Sequence, residues 1–226
     1  MVSGILGSCV PRFEDDHGCL DRPSAGVAVE TEIDLVCIAE ALAAATALPS
    51  RELISLNVHG ATLASTHDFA DRLLSRAMSF GILPDRLMVE IIEHRAPWIA
   101  DDFRATLDEL RGAGVRIAVD DLGVAASNFQ LIVDCQPDHV KVDRYLIDGC
   151  SKDPWRRASL ASIVTLARAC DATVIAEGVE KVADLATLLD LGIDIVQGWL
   201  YSPSKPAIEL THFSLVPNQR SLKGSC

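Results

Sequence analysis

Basic residues are scarce in this chain, which has 20 lysines and arginines against 32 acidic residues and a formal net charge of −12. Such a surface repels a phosphate backbone, so we expect no nucleic acid polymer as a partner. The seven cysteines form no Cys-x-x-Cys pair, which favours free thiols in a reducing compartment over a disulfide framework or a zinc site. No apolar run approaches the ~20 residues that cross a bilayer. We therefore expect a cytoplasmic protein with no membrane partner.

The chain also lacks the glycine-rich phosphate-binding motifs GxGxxG and GxxxxGK[ST], which argues against a Rossmann or P-loop protein. Instead, short apolar segments alternate with helical ones along the 226 residues, a pattern typical of a parallel sheet. Six strands, or seven with residues 1–6, favour an α/β fold, a (β/α) barrel, over a doubly wound sheet. We predict a single domain over residues 1–226, with an irregular segment over 1–26 and a tail over 204–226. The predicted helices cover residues 30–48, 66–80, 100–110, 125–133, 153–170 and 181–191.

The segment from Gly114 to Gly123 is an apolar run that ends in two adjacent carboxylates, Asp120 and Asp121. Glycines at both ends of a short apolar run indicate a buried strand. Neighbouring carboxylates repel each other unless a cation lies between them. Neighbouring side chains on a strand face opposite sides, so both can serve one site only where the chain turns. The pair therefore indicates either a metal site at the strand tip or the start of a solvated turn.

Polar side chains end the other predicted strands as well, and catalytic groups of such barrels gather at the carboxyl ends of the strands. A charged side chain in an apolar strand is costly unless it is paired or bound to metal. Carboxylate and amide oxygens favour Mg²⁺ or Mn²⁺ over zinc, and carboxylates shared by two such ions support phosphoryl transfer. Lys141 could bind a phosphate oxygen, orient water, simply pair with the carboxylates, or act as a Schiff-base nucleophile in an aldolase. These strand-end residues are Asn57, Glu90, Asp120, Asp121, Lys141, Glu177 and Gln197.

In their order and local context, six segments resemble the EAL-domain family of cyclic-di-GMP phosphodiesterases, over about residues 30–203. The matching segments are Ser55-Leu-Asn57, Val89-Glu-Ile-Ile-Glu93, Arg116-Ile-Ala-Val-Asp-Asp-Leu-Gly123, Val140-Lys-Val-Asp-Arg144, Val174-Ile-Ala-Glu-Gly-Val-Glu180 and Val196-Gln-Gly-Trp199.

The resemblance implies an α/β fold of the TIM type, a (β/α) barrel whose first strand is lacking or altered in this chain. It also implies hydrolysis of cyclic-di-GMP to linear pGpG by water attack assisted by two Mg²⁺ or Mn²⁺ ions, and it suggests a homodimer. Carried over by motif, Glu177 would be the general base and Lys141 would orient the water. Gln197 and Glu180 would support the substrate side, and Glu93 would anchor the loop after the Asp pair. The metal ligands would be Asn57, Glu90 and Asp120 for the first ion, with Asp120, Asp121 and Glu177 at the second.

Two motifs depart from the family pattern. Glu40-Ala41-Leu42 spells the motif that names the family, but it lies in an alanine-rich helical segment, and we interpret it as a coincidence. Around Gly4-Ile5-Leu6, where the motif is expected, no carboxylate stands, and the loop Gly123-Val-Ala-Ala-Ser-Asn128 lacks a threonine, a glycine and a tyrosine typical of the family. The alternative hypothesis is therefore an inactive EAL domain that acts as a cyclic-di-GMP receptor or a protein-interaction regulator.

Overall fold

The computed structural model describes residues 23–48, 52–92, 101–123 and 128–201. The chain divides into two compact units, with the boundary between Ile117 and Ala118 inside one strand. Each unit alternates helices with parallel strands, as the sequence predicts. The single-domain assignment stays a prediction, and the predicted N-terminal strand and the C-terminal tail lie outside the described residues. Among the residues described, no helix combines the length and apolarity that a membrane crossing requires.

In the unit of residues 6–117, two parallel strands pair in unbroken register from Ile54↔Leu87 to His59↔Ile92. Buried Phe69 and Phe103 are among the largest side chains of its core. A buried carboxylate, Asp34, accepts hydrogen bonds from the His59 backbone N–H at 2.9 Å and the Thr62 hydroxyl at 2.6 Å, which ties the first helix to the end of the first strand. The elements are α1 (Pro23–Ala45), β1 (Ile54–His59), α2 (Gly60–Ser65), α3 (Phe69–Ser79), a 3-10 turn (Pro84–Arg86), β2 (Leu87–Ile92) and α4 (Asp101–Gly112).

In the unit that begins at residue 118, the parallel strands pair in sequence order around an apolar core that includes Val142, Ile147 and Leu160. The long helix begins where expected, because Asp153 accepts the Trp155 N–H at 2.9 Å and Pro154 occupies the first turn. The elements are β3 (Arg116–Leu122), α5 (Asn128–Cys135), β4 (His139–Val142), α6 (Arg144–Ile147), α7 (Pro154–Ala169), β5 (Thr173–Ala176), α8 (Val182–Asp190) and β6 (Ile195–Val196).

Several local features differ from the predictions. The irregular N-terminal segment does not extend to residue 26, since α1 already begins at Pro23. The helix predicted over 66–80 is α3, which covers Phe69–Ser79, whereas the short helix α2 (Gly60–Ser65) before it was not predicted. The one-turn helix α6 was not predicted; the side chain of Asp143 starts it by accepting the Tyr145 N–H at 2.7 Å.

Candidate active site

Lys141 lies at the centre of a charged cluster in the unit that begins at residue 118. It is 4% exposed, although it belongs to the apolar strand β4. Its ammonium nitrogen Nζ lies 2.6 Å from Glu177 Oε1 and 3.3 Å from Asp120 Oδ1. Gln197 Nε2 donates a hydrogen bond to the same oxygen of Glu177. Four of the strand-end residues named from the sequence are thus in direct contact.

The geometry at the end of β3 explains how two adjacent carboxylates reach one site. The pairing of β3 with β4 shifts register between Val119 and Leu122, as happens where a strand carries a bulge. Within this irregularity Asp121 adopts a left-handed backbone with φ of 54°, a conformation that aspartate tolerates better than most residues. The Asp121 N–H donates to Asp120 Oδ1 at 2.8 Å. The turn places both side chains beside the next strands.

The cluster also fits a divalent cation. Carboxylate oxygens of Asp120, Asp121 and Glu177 all lie within 4.8 Å of one another. All three side chains are partly buried, and hard oxygen ligands of this kind suit Mg²⁺ or Mn²⁺. Of the two interpretations that the sequence left open for the Asp pair, the geometry favours the metal site.

The unit of residues 6–117 holds a second group of candidate ligands. Asn57 of β1 and Glu90 of β2 are partners in the strand register. Glu90 is 1% exposed and accepts a hydrogen bond from the hydroxyl of Ser55. Asn57 Oδ1 is buried, and among the described residues it has no hydrogen-bond partner. A buried amide oxygen without a partner is costly, and a metal ion bound beside Glu90 would satisfy it.

Other residues named from the sequence have different surroundings. Glu180 forms an ion pair with Arg144, with 2.9 Å between Oε1 and Nη1. Glu40 lies on an exposed face of α1, which is unlike a buried metal ligand. Glu93 and residues 124–127 of the loop after the Asp pair lie outside the described residues.

Two residues of the site, Ser55 and Arg144, were not predicted from the sequence. The alternation of polar Ser55 and Asn57 along β1 could have indicated Ser55.

Comparison with known proteins identifies the family. A sequence model described as the EAL domain matches residues 20–204. The chain belongs to the EAL-domain family. This confirms the resemblance that the strand-end motifs indicated.

The EAL relatives include both an enzyme and a regulator. The chain is 28% identical to the cyclic di-GMP phosphodiesterase RocR of Pseudomonas aeruginosa, over 68% of this chain and 39% of RocR. It is 29% identical to the blue light- and temperature-regulated antirepressor BluF of Escherichia coli, over 68% of this chain and 38% of BluF. The chain therefore spans about two fifths of the length of these two relatives.

A solved EAL structure supports the fold. BlrP1 of Klebsiella pneumoniae, crystallised with calcium and cyclic-di-GMP, superposes with a TM-score of 0.71 at 31% identity, covering 80% of this chain and 48% of that one. The prediction of an α/β fold of the TIM-barrel type is confirmed. The calcium in that complex is consistent with the oxygen-rich cluster of this chain.

Proposed function

We propose that this EAL domain is a cyclic-di-GMP phosphodiesterase that releases linear pGpG. The observation that carries the proposal is the contact of buried Lys141 with Glu177 and Asp120, beside a third carboxylate, Asp121. Burying several charges together is costly in a purely structural role. The same set of groups can bind cations, hold a water and accept its proton.

Each unit has its own set of candidate metal ligands. Asn57 and Glu90 offer two oxygen ligands in the first, and three clustered carboxylates offer oxygen ligands in the second. When bound, Mg²⁺ or Mn²⁺ would acidify the attacking water and neutralise charge on the leaving oxygen. A family-typical ligand from the expected position of the naming motif is missing from the sequence.

The protein's own groups have distinct roles in this reaction. Glu177 accepts the proton of the attacking water while the phosphorus–oxygen bond to the leaving 3′-oxygen breaks. Lys141 orients that water and keeps a positive charge close to the phosphate. Gln197 holds the Glu177 carboxylate by its hydrogen bond. Glu180 supports the site from the loop after β5, and the family motif assigns Glu93 a supporting role as well.

The decisive test is incubation of the purified chain with cyclic-di-GMP and Mn²⁺, with separation of the products by chromatography. We expect pGpG from the wild type and a loss of about 100-fold or more in kcat for Glu177→Gln, as is usual when a general base is removed. Asp68→Asn is the matched carboxylate control, because Asp68 precedes α3 and forms an exposed ion pair with Arg72. A folded wild type that forms no pGpG at high protein concentration would refute the enzyme hypothesis.

The second candidate is a receptor or regulator without turnover. The missing motif glutamate and the similarity to a relative named as an antirepressor favour it. Calorimetry with cyclic-di-GMP and Ca²⁺ separates the cases, since binding without hydrolysis indicates a receptor, and absence of binding leaves a role through protein contact.

The aldolase alternative from the sequence is disfavoured. The two carboxylates within 3.3 Å of Lys141 Nζ stabilise the ammonium form, which is not a nucleophile. Borohydride with a carbonyl substrate should therefore trap no adduct at Lys141.

A further inference from the structure

Helix α6 follows the strand that carries Lys141, and both of its ends contact the loop that carries Glu177. Arg144, its first residue, pairs with Glu180 at 2.9 Å. Asp148, the residue that ends the helix, accepts a hydrogen bond from Lys181 Nζ at 2.5 Å. The loop from Glu177 to Lys181 is thus fixed at two points to the helix beside it.

Arg144 also packs against the backbone next to Glu177. Gly178 has a φ of +66°, and a Cβ placed on it would lie 2.7 Å from Arg144 Cβ and 2.8 Å from Arg144 Cγ. The side-chain stem of Arg144 therefore occupies the space that any larger residue at 178 would need. This contact places the Arg144 side-chain stem against the residue that follows the proposed general base.

Backbone hydrogen bonds fix the same loop to the strands on either side. The Glu177 N–H donates to the Val142 carbonyl at 3.0 Å, and the Val179 N–H donates to the Gln197 carbonyl at 3.0 Å. Between these two bonds, Gly178 is the position on which Arg144 rests. A displacement of Arg144 would therefore act on a short segment whose two ends are held.

The Arg144–Glu180 ion pair is too exposed for stabilisation of the fold to be its main effect. The side chains are 52% and 28% exposed, and ion pairs in such surroundings contribute little to the free energy of unfolding. Its geometric effect on the loop is more specific, because a planar guanidinium with a packed stem fixes direction as well as charge.

We propose that Arg144 is a positioning residue, whose stem on Gly178 and ion pair with Glu180 set the Glu177 carboxylate against Lys141. The inference rests on the proposed function for its kinetic consequence only. Small displacements of a catalytic group reduce the rate by up to about 100-fold.

The test compares Arg144→Met, which keeps an apolar stem without charge, with Arg144→Lys, which keeps the charge. We expect Arg144→Met to lower kcat by about tenfold or more with little change in KM, and Arg144→Lys to recover part of that loss. Hydrogen exchange at the Val179 N–H should accelerate in Arg144→Met, since the loop loses its support. The control Arg72→Met removes a comparably exposed ion pair, that of Arg72 with Asp68. It should change neither kcat nor hydrogen exchange at Val179.

The outcomes separate this inference from the proposed function. A wild type without turnover refutes the phosphodiesterase, while faster exchange at Val179 in Arg144→Met alone still supports the role of Arg144 in the loop. Unchanged exchange at Val179, or an Arg144→Lys variant as slow as Arg144→Met, would overturn the inference.

Discussion

Lys141 determines whether the carboxylates around it can be buried together. Its side chain is 5% exposed, and those of Asp120 and Glu177 are 12% and 14% exposed. Removing one member of a buried ion pair leaves uncompensated charge, which is more destabilising than the pair is stabilising. The lysine therefore supports the folded state before any metal binds.

We expect Lys141→Met to lower the free energy of unfolding of the metal-free protein by about 3 kcal/mol, measured by urea denaturation in EDTA. Lys181→Met is the matched control, because the Lys181–Asp148 pair is exposed and its loss should change stability little. Equal effects of the two substitutions would contradict the role assigned to Lys141.

Asp184 is a further buried carboxylate, and it holds the turn after α6. It is 1% exposed and accepts the Gly149 N–H at 3.0 Å and the Ser151 N–H at 2.9 Å. Burial by itself raises the pKa of Asp184, but the hydrogen bonds from Ser151 and Gly149 outweigh it and lower the pKa below 3.8. A carboxyl with a lowered pKa in the folded state stabilises the protein above its unfolded-state pKa.

We expect Asp184→Asn to cost about 1 to 3 kcal/mol at pH 7, as for hydrogen bonds to a charged acceptor. The difference from the wild type should persist down to about pH 4 and shrink as the pH falls below 3.8 through the lowered pKa. Urea denaturation at a series of pH values measures it. A difference that stays constant down to pH 3 would show that the charge of Asp184 is not the cause.

The irregular end of strand β3 brings two adjacent carboxylates, Asp120 and Asp121, into one cluster. Asp121 has a φ of 54°, and residues other than glycine are strained there by about 1 kcal/mol. The strain persists where the surrounding structure holds it, and such positions are common at functional sites.

Comparison of Asp121→Ala with Asp121→Gly isolates this strain, since both remove the carboxylate. We expect the glycine variant to be more stable by about 1 kcal/mol, because glycine adopts a positive φ without steric cost. The same pair of substitutions at Asp108, which is exposed within α4, should show the opposite order, since alanine favours helices. Thermal unfolding measures both pairs, and an Asp121→Ala variant as stable as Asp121→Gly, or more stable, would contradict a strained Asp121.

The alternation of strands and helices could be predicted from the sequence, because buried parallel strands are apolar runs and helix α7 has its cap and proline at the start. Helix α6 could not be predicted from the sequence, because its four residues from Arg144 to Ile147 are too few to show a periodic pattern. The bulge at Asp121 is likewise set by the pairing with β4 and leaves no mark in composition.

The residues of the candidate site could also be predicted from the sequence, but most of the contacts that they make could not. Its strand-end residues could be named because each interrupts or follows an apolar segment, and Lys141, Glu177 and Gln197 do meet. Contacts between side chains distant in sequence, such as Ser55 with Glu90 and Arg144 with Glu180, depend on register and loop geometry. Local patterns do not contain that information.

For the molecule as a whole, charge opposes the proposed substrate. The net charge is −12, and cyclic-di-GMP is an anion because of its two phosphodiesters. A negative protein repels such a ligand and attracts cations. Divalent ions bound at the carboxylate cluster would make the local electrostatic potential positive. Metal and nucleotide should therefore bind cooperatively, with the same coupling free energy whichever binds first.

We expect calorimetry to show cyclic-di-GMP binding about tenfold or more tightly in Ca²⁺ than in EDTA, a coupling of about 1.4 kcal/mol. Asp120→Asn should reduce this difference, because it removes a carboxylate of the cluster, whereas Asp68→Asn, just before α3, should leave it unchanged. Reciprocally, the nucleotide should raise the affinity for Ca²⁺ by the same factor. Equal affinities for cyclic-di-GMP with and without Ca²⁺ would mean that the carboxylates do not act through a bound cation. That result would also contradict the proposed catalytic role of the carboxylate cluster.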